Sequence, residues 1–264
     1  MKDLLVGRFI PGKSLLYQLD ARVKLVSLLL LLLAIIMAET ARQYLLLLGA
    51  IGMILVLSAI PVRAALGSLV RMWQFFLIVF LMNAFFFTDA NPLWTWGIFH
   101  LSFQGLAQGA NVVVRILLVM VLSNILTCTT APMEITFAGE RLLRPLGCLH
   151  VPVEEVAMIV SVAIQFIPIL GEEAQMIRKA QIARGARFES KNLLERATSL
   201  FPLVIPLFLA AFRRADELSL AMEARGYKNA RERTRKRPEP LHAKDYLFLG
   251  SILLLSLFSV SIRG

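Results

Sequence analysis

Val23-Lys24-Leu25-Val26-Ser27-Leu28-Leu29-Leu30-Leu31-Leu32-Leu33-Ala34-Ile35-Ile36-Met37-Ala38 carries one charge in sixteen residues. A helix of this composition is close to the ~17–25 apolar residues that cross a hydrocarbon core. Similar runs follow at about 44–60, 70–88 and 107–127, and a last one closes the chain at 246–262. Apolar residues make up 58% of the 264 and charged residues 17%, with a mean hydropathy of +0.71. A water-soluble domain cannot bury that much apolar surface. The expected fold is therefore an all-α integral membrane protein with about five transmembrane helices. The polar start, basic at Lys2, Arg8, Lys13, Arg22 and Lys24, reads as a cytoplasmic arm with no cleavable signal peptide.

Several motifs weaken on inspection. Gly7-Arg8-Phe9-Ile10-Pro11-Gly12-Lys13-Ser14 satisfies the phosphate-loop pattern G-x-x-x-x-G-K-S. That loop must leave a buried strand inside an α/β sheet, and only six residues precede it, so the match reads as coincidence. Cys128 and Cys148 lie 20 apart, and His100, His150 and His242 are scattered, which gives no metal-ligand spacing and no cofactor signature. Trp73, Trp94 and Trp96 suit the membrane interface. Residues 93–101 read as a small hairpin turning at Gly97. Arg115, inside the fourth run, is costly in a bilayer; it either meets another helix or a partner subunit, or snorkels or pairs locally.

From Thr130 the character changes. Thr130, Pro132 and Glu134 suit the start of a helix, and Ile135, Ala138, Leu142 and Leu146 form its apolar stripe, so it is expected to lie in the interface plane. Two apolar runs follow, Val156–Leu170 and Leu200–Phe212, both short for a span and both holding proline: Pro168 in one, Pro202 and Pro206 in the other. Crossing twice would put Arg178, Lys179, Arg184, Arg187, Lys191 and Arg196 outside, and loops rich in arginine and lysine stay cytoplasmic. Residues 128–244 hold 18 of the 28 basic residues. The expected division is thus 1–127, an arm and four spans; 128–244, a cytoplasmic-side module; and 245–264, a fifth span. With the N-terminus cytoplasmic, five spans place the C-terminus outside.

Within that module a tripeptide occurs twice, 41 positions apart: Ala183-Arg184-Gly185 and Ala224-Arg225-Gly226. The apolar stripe before the second is Phe208, Phe212, Ala215, Leu218 and Met222, with Arg213–Glu217 as an i,i+4 pair off it. Before the first it is Met176, Ala180 and Ala183. Each glycine suits a helix C-terminus because it accepts a left-handed conformation, so each arginine is presented at a helix tip. One such arginine reads as an offset to the helix dipole. Two copies suit bidentate binding to carboxylates in two equivalent acidic grooves.

The sequence resembles the transmembrane coupling (T) component, EcfT type, of energy-coupling-factor vitamin and micronutrient transporters, a branch of ABC importers. The resemblance spans nearly the whole chain. It rests on Pro11-Gly12-Lys13-Ser14 leading to Leu19-Asp20-Ala21-Arg22-Val23-Lys24-Leu25, Thr129-Thr130-Ala131-Pro132, Leu143-Arg144-Pro145-Leu146, Phe166-Ile167-Pro168, Gln181 to Ala186 and Met222 to Tyr227. Ala21 and Gln165 depart from the proline and arginine expected there. The resemblance implies a multi-pass protein of the cell membrane that hydrolyses nothing and needs no cofactor. Its partners would be two ABC ATPase subunits, seated on Arg184 and Arg225 with their flanking Ala and Gly residues, and one membrane-embedded substrate-binding (S) component. Arg115 and Pro168 are candidate contacts within the membrane or with a partner.

Two rivals stand beside this reading. One is a dedicated biotin- or cobalt-type T component. The other, from a different class, is a membrane-bound enzyme, for which Glu154-Glu155 and Glu172-Glu173 are the available acidic pairs; Glu172-Glu173 reads more simply as opening a helix. The basic stretch 225–237, net +6, points to anionic lipid or cytoplasmic placement rather than to nucleic acid.

Overall fold

The computed structural model describes residues 12, 14–61, 67, 69–86, 94–96, 99–149, 151–186, 188, 192–228 and 240–262. The protein is a helical integral membrane protein. The described elements are α1 (Leu15–Gln18), α2 (Ala21–Met37), α3 (Ala41–Ser58), α4 (Trp73–Phe86), β1 (Trp94–Trp96), β2 (Phe99–Leu101), α5 (Phe103–Thr129), α6 (Pro132–Leu143), a 3-10 turn (Arg144–Leu149), α7 (Val153–Ala183), α8 (Leu193–Ala224) and α9 (Ala243–Ser261). The two strands pair antiparallel, Trp96 opposite Phe99, as the expected hairpin; Gly97 itself lies outside the described residues. The described residues fall into two compact units, one within Arg8–Ala131 and Pro240–Gly264, the other within Pro132–Glu239.

The first unit is built on α5, which packs against α2, α3 and α4, while α9 packs against α2 and α3. Leu31 and Ile35 of α2, Leu47 and Ile51 of α3, Leu118, Leu122 and Ile125 of α5 and Ile252 of α9 form its core. The outward leucines, such as Leu29, Leu33, Leu45 and Leu254, remain exposed. Such a helix, apolar on the side away from its neighbours, suits lipid rather than water.

Helix ends in this unit are tied by side chains from elsewhere in the chain. Asp20 caps α2, its Oδ1 accepting from Arg22 N–H at 2.8 Å, and holds the Arg22 guanidinium at 3.1 and 2.8 Å. The Asp20 N–H in turn donates to Asp245 Oδ1 at 3.0 Å, and His242 N–H donates to Asp245 Oδ2 at 2.8 Å. One buried carboxylate thereby satisfies the starts of both α2 and α9. Gln43 does the same for α3: its Oε1 accepts from Glu39 and Thr40 N–H at 2.8 and 2.9 Å, while Nε2 donates to Ser259 O of α9 at 2.8 Å.

Two cations make a reciprocal pair of contacts between α2 and α5. Lys24 Nζ donates to Thr129 O, at the end of α5, at 3.2 Å. Arg115 donates to Ala38 O, just past the end of α2, at 2.7 Å, and to Tyr44 Oη of α3 at 3.0 Å. The pairings 24 with 129 and 115 with 38 are those of antiparallel helices. Each cation thus reaches the carbonyl-rich, negative end of its neighbour. Arg115, though central in its own helix, sits level with the α2–α3 turn. Tyr17 of α1 donates to Cys128 O at 3.2 Å. Burial first, and Cys128 second, push its phenol above the usual range, so it stays a neutral donor.

In the second unit α6 packs on α7, and α7 packs on α8. Glu134 opens α6 and Ala138 is its buried residue; Leu146 falls in the 3-10 turn beyond the helix. The larger departure from expectation is length. The runs Val156–Leu170 and Leu200–Phe212 lie inside continuous helices of 31 and 32 residues, and Pro168, Pro202 and Pro206 sit within them without ending them. A proline removes one backbone hydrogen bond and bends a helix; here the polar stretches that follow carry each helix on. Among the described residues, five helices are long and apolar enough to cross a membrane: α3, α5, α7, Thr198–Ala224 of α8, and α9. α2 and α4, read from sequence as spans, have 17 and 14 residues.

Candidate functional site: two arginine tips

The two Ala-Arg-Gly tripeptides end α7 and α8 with the same backbone geometry. At the first, Gly185 N–H donates to Ile182 O at 2.9 Å and Ala186 N–H to Gln181 O at 3.0 Å. At the second, Gly226 N–H donates to Glu223 O at 2.9 Å and Tyr227 N–H to Met222 O at 3.0 Å. This doubled pattern is the Schellman termination, and it requires the residue after the cap to be left-handed. Gly185 has φ of 89° and Gly226 of 73°. A Cβ at either glycine would meet no atom within 4 Å. The glycines are there for the backbone angle, not for space. Arg184 and Arg225 are therefore the cap residues, and both are exposed. Ala183 and Ala224, the last helical residues, are exposed too, leaving each guanidinium unobstructed by its neighbours.

The faces of the two helices differ from those read off the sequence. Among the described residues of α8 the half-buried positions are Ser199, Leu203, Pro206, Leu207, Ala210, Ala211, Arg214, Leu218 and Met222. Leu218 and Met222 belong to the expected stripe; Phe208, Phe212 and Ala215 point away and are exposed. Phe208 and Phe212 stack on each other instead, centroids 5.2 Å apart. On α7, Met176, Ala180 and Ala183 are exposed, while Ala174, Ile177, Arg178 and Gln181 are half-buried. The stripe rule selects apolar positions, and in a helix with apolar residues on several sides it does not select which side packs.

Among the described residues, side-chain contacts link α7 with α8 and with the residue stretch just past its end. Arg214 Nη2 lies 3.3 Å from Glu173 Oε2, in place of the expected Arg213–Glu217 pair. Tyr227 Oη donates to Met158 Sδ at 2.7 Å. As α8 advances from 214 to 227 its partners on α7 step back from 173 to 158, so the helices run antiparallel here. The two arginine tips consequently lie at opposite ends of the pair. Glu172 and Glu173 do not open a helix: they stand twenty residues into α7, which begins at Val153. Pro168 is half-buried in α7, five residues before Glu173. Glu173, Arg214, Tyr227 and Met158 had no signal in local spacing, since their contacts span 41 and 69 residues. Among the described residues, no three His, Cys, Asp or Glu side chains gather as a metal ion would need. Of the phosphate-loop lookalike only Gly12 and Ser14 are described, and Ser14 leads into the single turn of α1.

Relatives share this chain nearly end to end. The family model described as cobalt transport protein matches residues 12–236. Proteins called energy-coupling factor transporter transmembrane protein EcfT are similar in Ruminiclostridium cellulolyticum (38% identity over 95% of this chain and 93% of the relative), Brevibacillus brevis (40%, 89% and 89%) and Bacillus subtilis (36%, 100% of each). The chain belongs to the EcfT family. Membership makes it a multi-pass membrane subunit of an energy-coupling factor transporter. Within the EcfT frame, the matched region contains all of α2 to α8 and both arginine tips.

Proposed function

We propose that this chain is the scaffold and coupling subunit of an energy-coupling factor importer. Arg184 and Arg225 each seat in an acidic groove of one of two cytoplasmic ATPase subunits. ATP-driven closure of the ATPases moves α7 and α8, and that motion reaches a membrane-embedded S component, which releases a vitamin or other micronutrient inside. Hydrolysis belongs to the ATPases and selectivity to the S component. The single observation that carries this reading is the duplication: two exposed arginines, on identical Schellman ends, at opposite ends of an antiparallel helix pair. A lone arginine at a helix end offsets a dipole; two, oppositely placed and held alike, match two equivalent receivers. The exposed apolar residues of α8, among them Phe201, Ile205 and Leu209, offer lipid or the S component a surface.

The tips must then face the cytoplasm. Charge supports this: in the sequence Arg178, Lys179 and Arg196 flank the first tip and Lys228 follows the second. Co-purification tests the reading. Arg184→Glu and Arg225→Glu singly weaken ATPase recovery with the chain, and the double variant abolishes it, with membrane insertion unchanged. Undiminished recovery in the double variant would sink the proposal.

A further inference from the structure

The ion pair between α7 and α8 has a position that the tips explain. Glu173 precedes Arg184 by eleven residues, and Arg214 precedes Arg225 by eleven. Because the helices run antiparallel, the pair stands midway between the two tips. Eleven residues are ~16 Å of helix and close to three full turns, so each pivot residue also lies on nearly the same side of its helix as its arginine. The tip arms, 173–184 and 214–225, contain neither proline nor glycine. Pro168 and Gly171 on α7, and Pro202 and Pro206 on α8, all fall on the other side of the ion pair. Each helix thus has a short stiff arm toward its tip and a longer, proline-bearing arm away from it, twenty residues back to Val153 and twenty-one back to Leu193.

Stability does not account for this pair. Its side chains are 42% and 26% exposed, and ion pairs that wet add little. Among the described side chains of α8, those facing inward are half-buried and none is buried. What the pair supplies is a fixed point of register between the two helices.

We propose that Glu173 and Arg214 are positioning residues forming the pivot about which the two tip-bearing helices turn when the ATPases close. This rests on the reading of the tips as ATPase contacts. Equal arms let two equivalent ATPases push symmetrically. The longer arms, about twice the length of the tip arms, return a larger displacement at their far ends, and their prolines let that displacement bend. The Tyr227–Met158 contact, a hydroxyl on a thioether, is a weak acceptor pairing that yields as the crossing angle changes.

Distances in the assembled complex test this. The chain is purified with its ATPase subunits in lipid nanodiscs, in a Cys128→Ala, Cys148→Ala background. Spin labels are placed at Glu172 and Arg213, beside the ion pair, or at Ala180 and Val204, which the antiparallel register brings level with each other toward the α7 tip and whose separation is the tip distance. On adding a non-hydrolysable ATP analogue, the pivot distance changes by no more than about 2 Å, within the range of small packing shifts, while the tip distance changes several-fold more. Glu173→Gln or Arg214→Gln broadens the pivot distribution and leaves ATPase co-purification intact; the swap Glu173→Arg with Arg214→Glu narrows it again. A pivot distance that moves as far as the tips, or one unaffected by the Gln variants, overturns the pivot while the coupling reading stands. Failure of the ATPases to co-purify with the unsubstituted tips overturns the coupling reading, and the pivot with it.

Discussion

Gly185 and Gly226 are where a single methyl group has the most leverage. With φ at 89° and 73°, an alanine at either place keeps its space but must take a conformation that costs roughly 1–2 kcal/mol in an L-residue. The expected outcome for Gly185→Ala is a frayed end to α7, more mobile Arg184 and several-fold weaker ATPase recovery, with thermal unfolding of the isolated chain in detergent barely changed. Arg115 behaves in the opposite way. Arg115→Leu strips a donor from Ala38 O and from Tyr44 Oη, and a buried acceptor losing its charged donor costs about 1–3 kcal/mol. A clear fall in melting temperature in detergent, with ATPase binding retained, is the outcome to look for. The arginine is conspicuous in the sequence because charge is rare in an apolar run. Its partners are not, because Ala38 is an ordinary backbone carbonyl 77 residues away.

Single elements carry a second lesson in Asp245. Its carboxylate serves two helix starts at once, those of α2 and α9, from 225 residues apart. Asp245→Ala leaves the Asp20 and His242 N–H groups without acceptors in a site that is 2% exposed. The expected penalty is about 2–4 kcal/mol, two lost charge-assisted bonds, read as early loss of α9 protection in hydrogen exchange. Asp245→Asn, which retains one acceptor, should lose about half of that. His242-x-x-Asp245 is a capping-box spacing, so half of this arrangement could be found by local rules; the Asp20 half could not. The same division holds for α7 and α8. Their glycine stops are local and readable, as was the helical character of the apolar runs. The side each helix turns inward, and its continuity through Pro168, Pro202 and Pro206, depend on packing that no window of sequence contains.

At the scale of the molecule the coupling proposal requires the connection between α7 and α8 to face the cytoplasm. α7 and Thr198–Ala224 are long and apolar enough to cross a membrane, yet the stretch between them is basic. Accessibility labelling decides it: single cysteines replacing Gln175 and Asn192 are expected to react with a membrane-impermeant maleimide only after the cell is permeabilised. Labelling in intact cells would instead put that connection outside and make α7 and α8 true spans. Hydropathy is a summed property of long segments, which is why the membrane class could be read early. Register between helices is set by a few atoms, Glu173 with Arg214 or Tyr227 with Met158, and has no average for a sequence to display.

The Schellman ends have one more consequence. Each tip is made by its own backbone, through carbonyls no more than five residues back, and by nothing that belongs to its particular helix. The hexapeptides 181–186 and 222–227 are therefore interchangeable parts. Exchanging them between α7 and α8 should leave an assembling complex, with the half-buried Gln181, Met222 and Tyr227 the side chains missed at their old addresses. Two helix tips built as copies of one portable device need only a glycine and an arginine to be kept in step.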